Sequence, residues 1–438
     1  MFAPDAPMVY LFPLAISSLA LLLLPCTVVA SEQTPYKPLI ARVTKDHNTS
    51  LYTISIKNGE PLVVDLAGSL VWSTCPYKHG TVPCESDTCR VANQQHPRRC
   101  RYVDAGWFGA NRESGWGCAC TGHPFNSVTG ECSIGDLTSM AMSANTTNGT
   151  HMLYPESFTA VGSCAPDRLS RSLPEGATGV AGFSRWQLSL PSQLSSQRKF
   201  GNVFALCLPG FATFGNTSVY LGEAGFRLVD YTGIIPYTPL LQNPRNPGGY
   251  YIPVKGISVS WHGVYVPASL PGGVLDLDVH AGRGGVVLST VTYYTIMRPD
   301  VFRPFARAFD EAITRGRMTD MKRVPAVKPF ELCYNGVVPL LKRPVKYDVP
   351  LINMELAGAT GNWTVFNDYL VHVEGAMCLG ILEMGPGGMP VDGEPSVVVG
   401  GKMLENNLLV FDLEKGVLGF SMLLDYRLSS CYSTPLKF

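Results

Sequence analysis

The strongest constraint on this chain is that it says the same thing twice. Pro61 to Gly68 is an apolar run that ends at Asp65-Leu66-Ala67, and about 115 residues later Ala177 to Phe183 is an apolar run that ends in Gly. Gly284 to Thr290 then ends at Ser289-Thr290-Val291, and Pro395 to Gly401 follows at a similar distance. An apolar strand that ends at a small polar tripeptide, followed at matched spacing by an apolar run that ends in Gly, predicts two related lobes. The segments between them alternate with period two, which indicates half-buried strands. Asn58-Gly59 separates two such runs, and His262-Gly263 separates two more. Paired turn residues of this kind favour hairpins because both must take positive φ. Glu414 to Gly416 marks a third hairpin. Gly and Pro together are about 18% of the chain against roughly 12% on average, as a turn-rich β protein requires.

One helix interrupts the pattern. Phe302, Phe305, Phe309 and Ile313 fall on one face, with Asp300 as the expected cap, Pro304 in the first turn and Gly316 at the end. The face reads as core packing.

The balance of charge excludes some functions. Lys plus Arg and Asp plus Glu are both 34, so there is no basic excess to neutralise phosphates and nucleic acid is not an expected partner. Val9 to Leu24 is almost wholly apolar, and Pro25 to Ala30 ends in small residues. We read 1–30 as a secretory signal cleaved after Ala30, although Asp5 stands where Lys or Arg is usual. A membrane anchor is the competing reading. With no basic stop-transfer flank after it, no membrane association is expected once the signal is gone. Removing Cys26 leaves twelve cysteines, an even number that suits an oxidising compartment. Cys75, Cys84, Cys89, Cys100, Cys118, Cys120, Cys132 and Cys164 precede Cys207, Cys333, Cys378 and Cys431. The first eight allow 105 pairings. Cys118 and Cys120 lie near His123, but no second spaced pair completes a zinc site, so no metal and no cofactor is expected. Asn48, Asn145, Asn148, Asn216 and Asn362 head glycosylation sequons and are expected on surface loops. Arg98 to Arg101 is a short basic cluster that reads as a solvated loop face.

The two tripeptides resemble the motifs of pepsin-like aspartic proteases, in which each lobe supplies Asp-Thr/Ser-Gly. There two carboxyls share one proton, because like charges about 3 Å apart cannot both ionise. Here Asp65 is present, its Thr-Gly is not, and Ser289 stands where the second Asp belongs. A hydroxyl does not titrate near neutrality, so the dyad is degenerate. The residues at the lost glycines are expected to hold the backbone off the carboxyl. The region from Gly117 to Phe125 lacks the tyrosine that such proteases set over the cleft.

Much of the chain resembles one offshoot of that fold, the plant xylanase inhibitors of the TAXI type and the legume basic 7S globulins. The matching stretches include Val63 to Cys75, Pro124 to Cys132, Leu173 to Gly182, Leu206 to Pro209, Gly284 to Thr290 and Phe411 to Lys415. The resemblance implies a mainly β, bilobal pepsin-like fold with a shared interlobe sheet and a few short helices. It implies lobes at about 35–240 and 241–438, six disulfides, and later bridges Cys207–Cys431 and Cys333–Cys378. It also implies a secreted, monomeric protein of the apoplast or cell wall. Such a protein would block microbial endo-β-1,4-xylanases of glycoside hydrolase family 11 by inserting C-terminal-lobe loops between two catalytic carboxylates. In that family a histidine shortly before the last cysteine reaches those acids. Here the stretch is Asp425-Tyr426-Arg427-Leu428. Arg427 takes the histidine position when counted from Cys431, and Asp425 takes it when counted from Phe420. Arg427 could pair with a carboxylate and Asp425 would repel one. His372, the nearest histidine, lies in a strand-like stretch. Two other readings stay open, a non-catalytic binder of peptide or glycan and an aspartic endopeptidase.

Overall fold

The computed structural model describes residues 37–97, 99–103, 108, 118–147, 153–223, 227–316, 321–339, 347–422, 424–427 and 429–432. All of them fall in one compact unit, Pro35–Phe438. The signal-peptide reading, Asn148 and Leu428 lie outside the described residues.

The chain is mainly β, and the repeat seen in the letters is a repeat of topology. In the first half the strand Glu60–Asp65 runs parallel to Gly179–Gly182. That strand is antiparallel to Val71–Ser73, which is parallel to Leu153–Cys164. In the second half Val286–Leu288 runs parallel to Val397–Val399. That strand is antiparallel to Thr295–Met297, which is parallel to Ile381–Glu383. Order and sense agree at every step. Within this scheme Asp65 faces Gly182, and the Ser289 N–H continues the second ladder to the Val399 carbonyl. Asp65 and Ser289 therefore occupy equivalent ends of equivalent strands.

Both halves of the chain build one sheet. Its strands follow the order Tyr237–Pro239, Val417–Phe420, Leu408–Asp412, Val203–Cys207, Phe211–Phe214 and Leu39–Lys45, and it then continues into the first half. Its middle joint is the antiparallel pairing of Val203–Cys207 with Leu408–Asp412. Phe204 and Phe411 stack across that joint with ring centroids 4.6 Å apart, and Tyr250 packs on Phe411 at the same distance. Stacked aromatic pairs contribute about 0.5–1.5 kcal/mol beyond their buried area.

The two-residue turns behave as their sequence requires. Asn58 and Gly59 have φ of 50° and 86°, and His262 and Gly263 have 45° and 78°. The helix is Pro299–Arg315, and its predicted apolar face is buried. Its start differs from expectation. Arg298 is the cap residue, and Asp300 sits inside the first turn, where it accepts from the Arg298 guanidinium. Pro304 is in the second turn, so the Asp300 carbonyl loses its helical N–H partner.

Six disulfides hold the described residues: Cys75–Cys164, Cys84–Cys118, Cys89–Cys120, Cys100–Cys132, Cys207–Cys431 and Cys333–Cys378. Cys118 and Cys120 are thus both in bridges. Asn48, Asn216 and Asn362 are exposed in turns or loops, whereas Asn145 is exposed on the strand Gly135–Thr147 rather than in a loop.

Candidate active cleft

The ends of the two motif strands meet. Thr290 Oγ1 donates to the Val64 carbonyl at 2.7 Å and accepts from the Leu66 N–H at 3.2 Å. A hydroxyl beside Ser289 thus grips the backbone on both sides of Asp65. The reciprocal grip is absent because Leu66 has no hydroxyl to return it.

Asp65 is 2% exposed. Its Oδ1 accepts from the Ala67 N–H at 2.8 Å and its Oδ2 from the Ser127 hydroxyl at 2.6 Å. The Ala67 side chain therefore does not hold the backbone off the carboxyl, contrary to expectation. The tight approach has moved one residue along, to Gly68, where a Cβ would lie 2.8 Å from the Gly182 Cα. Burial raises the Asp65 pKa, and the donors Ser127, Ala67 and Gly68 only partly offset it. The Ser289 hydroxyl accepts from the Thr292 N–H at 3.0 Å. The two equivalent positions together hold one carboxyl and one alcohol, and that pair cannot share a proton as two carboxyls do.

The raised pKa has a consequence for stability. The Asp65 contribution is fully present below the unfolded carboxyl value of about 3.9 and is lost as pH rises through the higher folded value. Asp65→Asn keeps an acceptor for Ala67 and a donor for Ser127 while removing the buried charge. We expect it to raise the urea midpoint at pH 7 and to leave it unchanged at pH 3. A loss of stability at pH 7 would show that the charged form is the one the fold requires.

In front of Asp65 lies a cleft of about 250 Å³. Its lining includes Phe125, Ser127 and Trp186 from the first half of the chain and Arg245, Asn246 and Asp392 from the second. Arg99 links the two halves there. Its Nε lies 3.0 Å from Asp392 Oδ1, and its Nη1 donates to the Met389 carbonyl at 2.9 Å. So Arg99, read from sequence as a solvated loop residue, ties the cleft across. Gln95 lines the same cavity at 4% exposure, and neither polar atom of its amide has a hydrogen-bond partner among the described residues. An unpaired buried amide costs about 1–3 kcal/mol. At the rim His96 packs on His123 at 4.3 Å, and Tyr102 hydrogen-bonds His123 at 3.2 Å. Burial and the neighbouring His96 hold the His123 pKa below its usual value.

With this geometry in place, comparison with known proteins decides the family. Residues 52–222 match the xylanase inhibitor N-terminal family and residues 249–422 the xylanase inhibitor C-terminal family. The chain belongs to the xylanase inhibitor family. Its similarity to individual relatives spans nearly the whole chain. It is 41% identical over 404 residues to a protein of Oryza sativa subsp. japonica named chitinase CLP, covering 90% of each chain. It is 30% identical to a probable aspartic proteinase, GIP2, of Nicotiana benthamiana, covering 92% of this chain and 94% of that one. The solved structure of edgp matches with a TM-score of 0.75 at 26% identity, covering 91% of this chain and 98% of that one. This family member is therefore an aspartic-protease-like protein of plant type.

For a xylanase inhibitor family protein the segment before the last cysteine is of interest. It forms a 3₁₀ turn, Leu424–Arg427, anchored by the buried Leu424 and by Cys431 in its bridge to Cys207. Arg427 is exposed, and its Nη1 pairs with Glu223 Oε1 at 3.2 Å. Tyr231 also donates to Glu223, at 3.0 Å. The guanidinium is thus steadied from behind, and only some of its five N–H groups are used. Asp425 is half-buried in the same turn. His372 is exposed on the strand Leu370–Val373, so it is not a core histidine.

Sequence reasoning missed Ser127, Gln95, Trp186 and the Arg99–Asp392 tie. Only Ser127 left a trace, because it falls in the stretch Pro124 to Cys132 that carried the family resemblance.

Proposed function

We propose that this protein is a secreted, proteolytically inactive inhibitor of a microbial cell-wall-degrading glycoside hydrolase, with a family 11 endo-β-1,4-xylanase as the first candidate target. The observation that carries the reading is the pairing of Asp65 with Ser289 at equivalent strand ends in a chain that matches the xylanase inhibitor family through both halves. A cleft with one buried carboxyl and no second one across the pseudo-symmetric joint lacks the base and acid that peptide hydrolysis requires. The fold is then available as a scaffold for recognition. The division at 35–240 and 241–438, the cleaved signal, the glycans and the extracellular location belong to the same proposal.

The inhibitory contact is assigned to the sequence stretch Asp425 to Leu428, of which Arg427 closes the described turn. A xylanase cleft holds two carboxylates, and a guanidinium gains charge-assisted hydrogen bonds there while excluding the sugar. Glu223 holds the exposed Arg427 guanidinium in place, which lowers the entropy lost on binding. The test is a titration of a fungal family 11 xylanase with the secreted protein, reading xylan hydrolysis. Stoichiometric inhibition is expected, and Arg427→Ala should weaken it by about tenfold or more, the scale of a lost charge-assisted pair. No inhibition at micromolar excess would overturn the reading.

The name of the rice relative suggests a second activity to check. Chitin hydrolysis requires at least one carboxylic acid that can reach the leaving oxygen, with a second carboxylate or the substrate's own N-acetyl group as its partner. The carboxyls lining this cleft are Asp65, buried behind Ser127, and Asp392, held by Arg99. We expect no turnover of chitin oligomers.

A further inference from the structure

The cleft in front of Asp65 is separate from the inhibitory turn, since no residue of 424–432 lines it among the described residues. We propose that it is a sugar-binding site, and that its ligand is a pyranose ring with adjacent free hydroxyls at the end of a β-linked glycan chain.

Gln95 sets the chemistry. Its buried amide places a donor and an acceptor side by side, and neither is bonded among the described residues. Two neighbouring hydroxyls of a pyranose complement that pair, one donating to Oε1 and the other accepting from Nε2. A trans peptide unit presents its N–H and C=O in opposite directions, so a single unit cannot satisfy both atoms. Aromatic surface supplies the second element. Phe125 and Trp186 line the cavity, and the C–H face of a sugar packs on such rings. Shape supplies the third. The Arg99–Asp392 pair links the two halves of the chain at the cleft, which favours a compact end group over a long strand threaded through it. A volume of about 250 Å³ suits a single ring with its substituents. Gln94 and His96 line the same cavity and are exposed, so a ligand reaches the buried amide when their side chains turn aside, a motion of surface-rotamer timescale.

The experiment is calorimetry, with tryptophan fluorescence in parallel, on the full secreted protein titrated with xylotriose, cellotriose and chitotriose. We expect saturable binding of at least one, and the tightest names the glycan source. Gln95→Leu should weaken it by about tenfold or more, because the ligand hydroxyls lose both partners, while the melting temperature stays the same or rises. Trp186→Ala, at a half-buried position, is the second variant and should weaken binding as well. Fully O-methylated xylotriose, which keeps the ring and loses every hydroxyl donor, should not bind. The proposal is overturned by no saturable binding of the three sugars at millimolar concentration, by binding that both variants leave intact, or by tighter binding of an N-acetylated tripeptide amide. None of these outcomes depends on whether the protein inhibits a xylanase.

Discussion

Lys45→Met should lower stability by about 3 kcal/mol, at the lower end of what is lost when one partner of a buried ion pair is removed. Lys45 Nζ lies 2.8 Å from Glu405 Oε1, with side-chain exposures of 18% and 13%. Tyr52 donates to the same oxygen at 2.8 Å, and Lys45 donates to the Tyr293 hydroxyl at 2.6 Å. The ammonium also sits 4.5 Å from the Tyr293 ring centroid. Lys45 and Tyr52 face each other across a hairpin of the first repeat, whereas Tyr293 and Glu405 belong to the second. Losing the ammonium leaves Glu405 in a low-dielectric pocket with only a phenol beside it. Burial alone would lower the Lys45 pKa, but the hydrogen bonds and charges of Glu405 and Tyr293 outweigh it and the pKa is raised. The sign follows: this contribution is fully present below the unfolded lysine value and is lost as pH rises through the folded one. The deficit of the variant should therefore be constant from pH 5 to 9 and should shrink only in strong alkali. Urea denaturation over that range is the measurement. A deficit below about 1 kcal/mol would place the pair with ordinary surface ion pairs.

Removing the bridge between Cys207 and Cys431 should have a larger effect. It spans 224 positions, and the chain-entropy relation for a loop of that size gives about 5 kcal/mol. Alanine is the replacement of choice because both sulfurs are buried and a serine hydroxyl would be left without a partner. The Cys207→Ala/Cys431→Ala variant should also free the turn that carries Arg427. The contacts that then hold it include the exposed Arg427–Glu223 pair, worth at most about 1 kcal/mol, the buried Leu424 and the hydrogen bond from the Leu424 N–H to the Asn406 carbonyl. Limited proteolysis should cut near residue 424 in the variant before it cuts elsewhere. Xylanase inhibition should fall in the same variant even at temperatures where its far-UV spectrum is native. Resistance of the segment to protease in the variant would mean that its packing, rather than the covalent link, holds it.

The features that were legible in the sequence share a physical cause. Asn58-Gly59 is readable because two consecutive positive φ values exclude most residues. The duplicated strands are readable because each must be apolar where it is sandwiched and small where the chains cross, as at Gly68 and Gly182. The equivalence of Asp65 and Ser289 follows from those strands. The helix face was readable for the same periodic reason, but its start was not, because the cap is a backbone conformation at Arg298 that carries no side-chain signature. The cleft was opaque. Ser127 meets Asp65 from 62 positions away, and Arg99 meets Met389 from 290 positions away. Contacts between distant loops have no period and no fixed spacing. Arg427 was recognisable as a candidate contact, but its engagement by Glu223, 204 positions earlier, was not.

The joint between Val203–Cys207 and Leu408–Asp412 also orders events during synthesis. When the first half of the chain has left the ribosome, Val203–Cys207 is paired on only one side. Its other edge waits for strands made some two hundred residues later. Until then the nascent protein carries an open edge of apolar backbone, the kind of surface that recruits a wrong strand or a chaperone. The last strands close that edge, and the Cys431 thiol reaches Cys207 only after they arrive. A chain cut short before residue 408 should therefore be an aggregation hazard rather than a smaller functional protein, because the strand Leu408–Asp412 is what covers that edge.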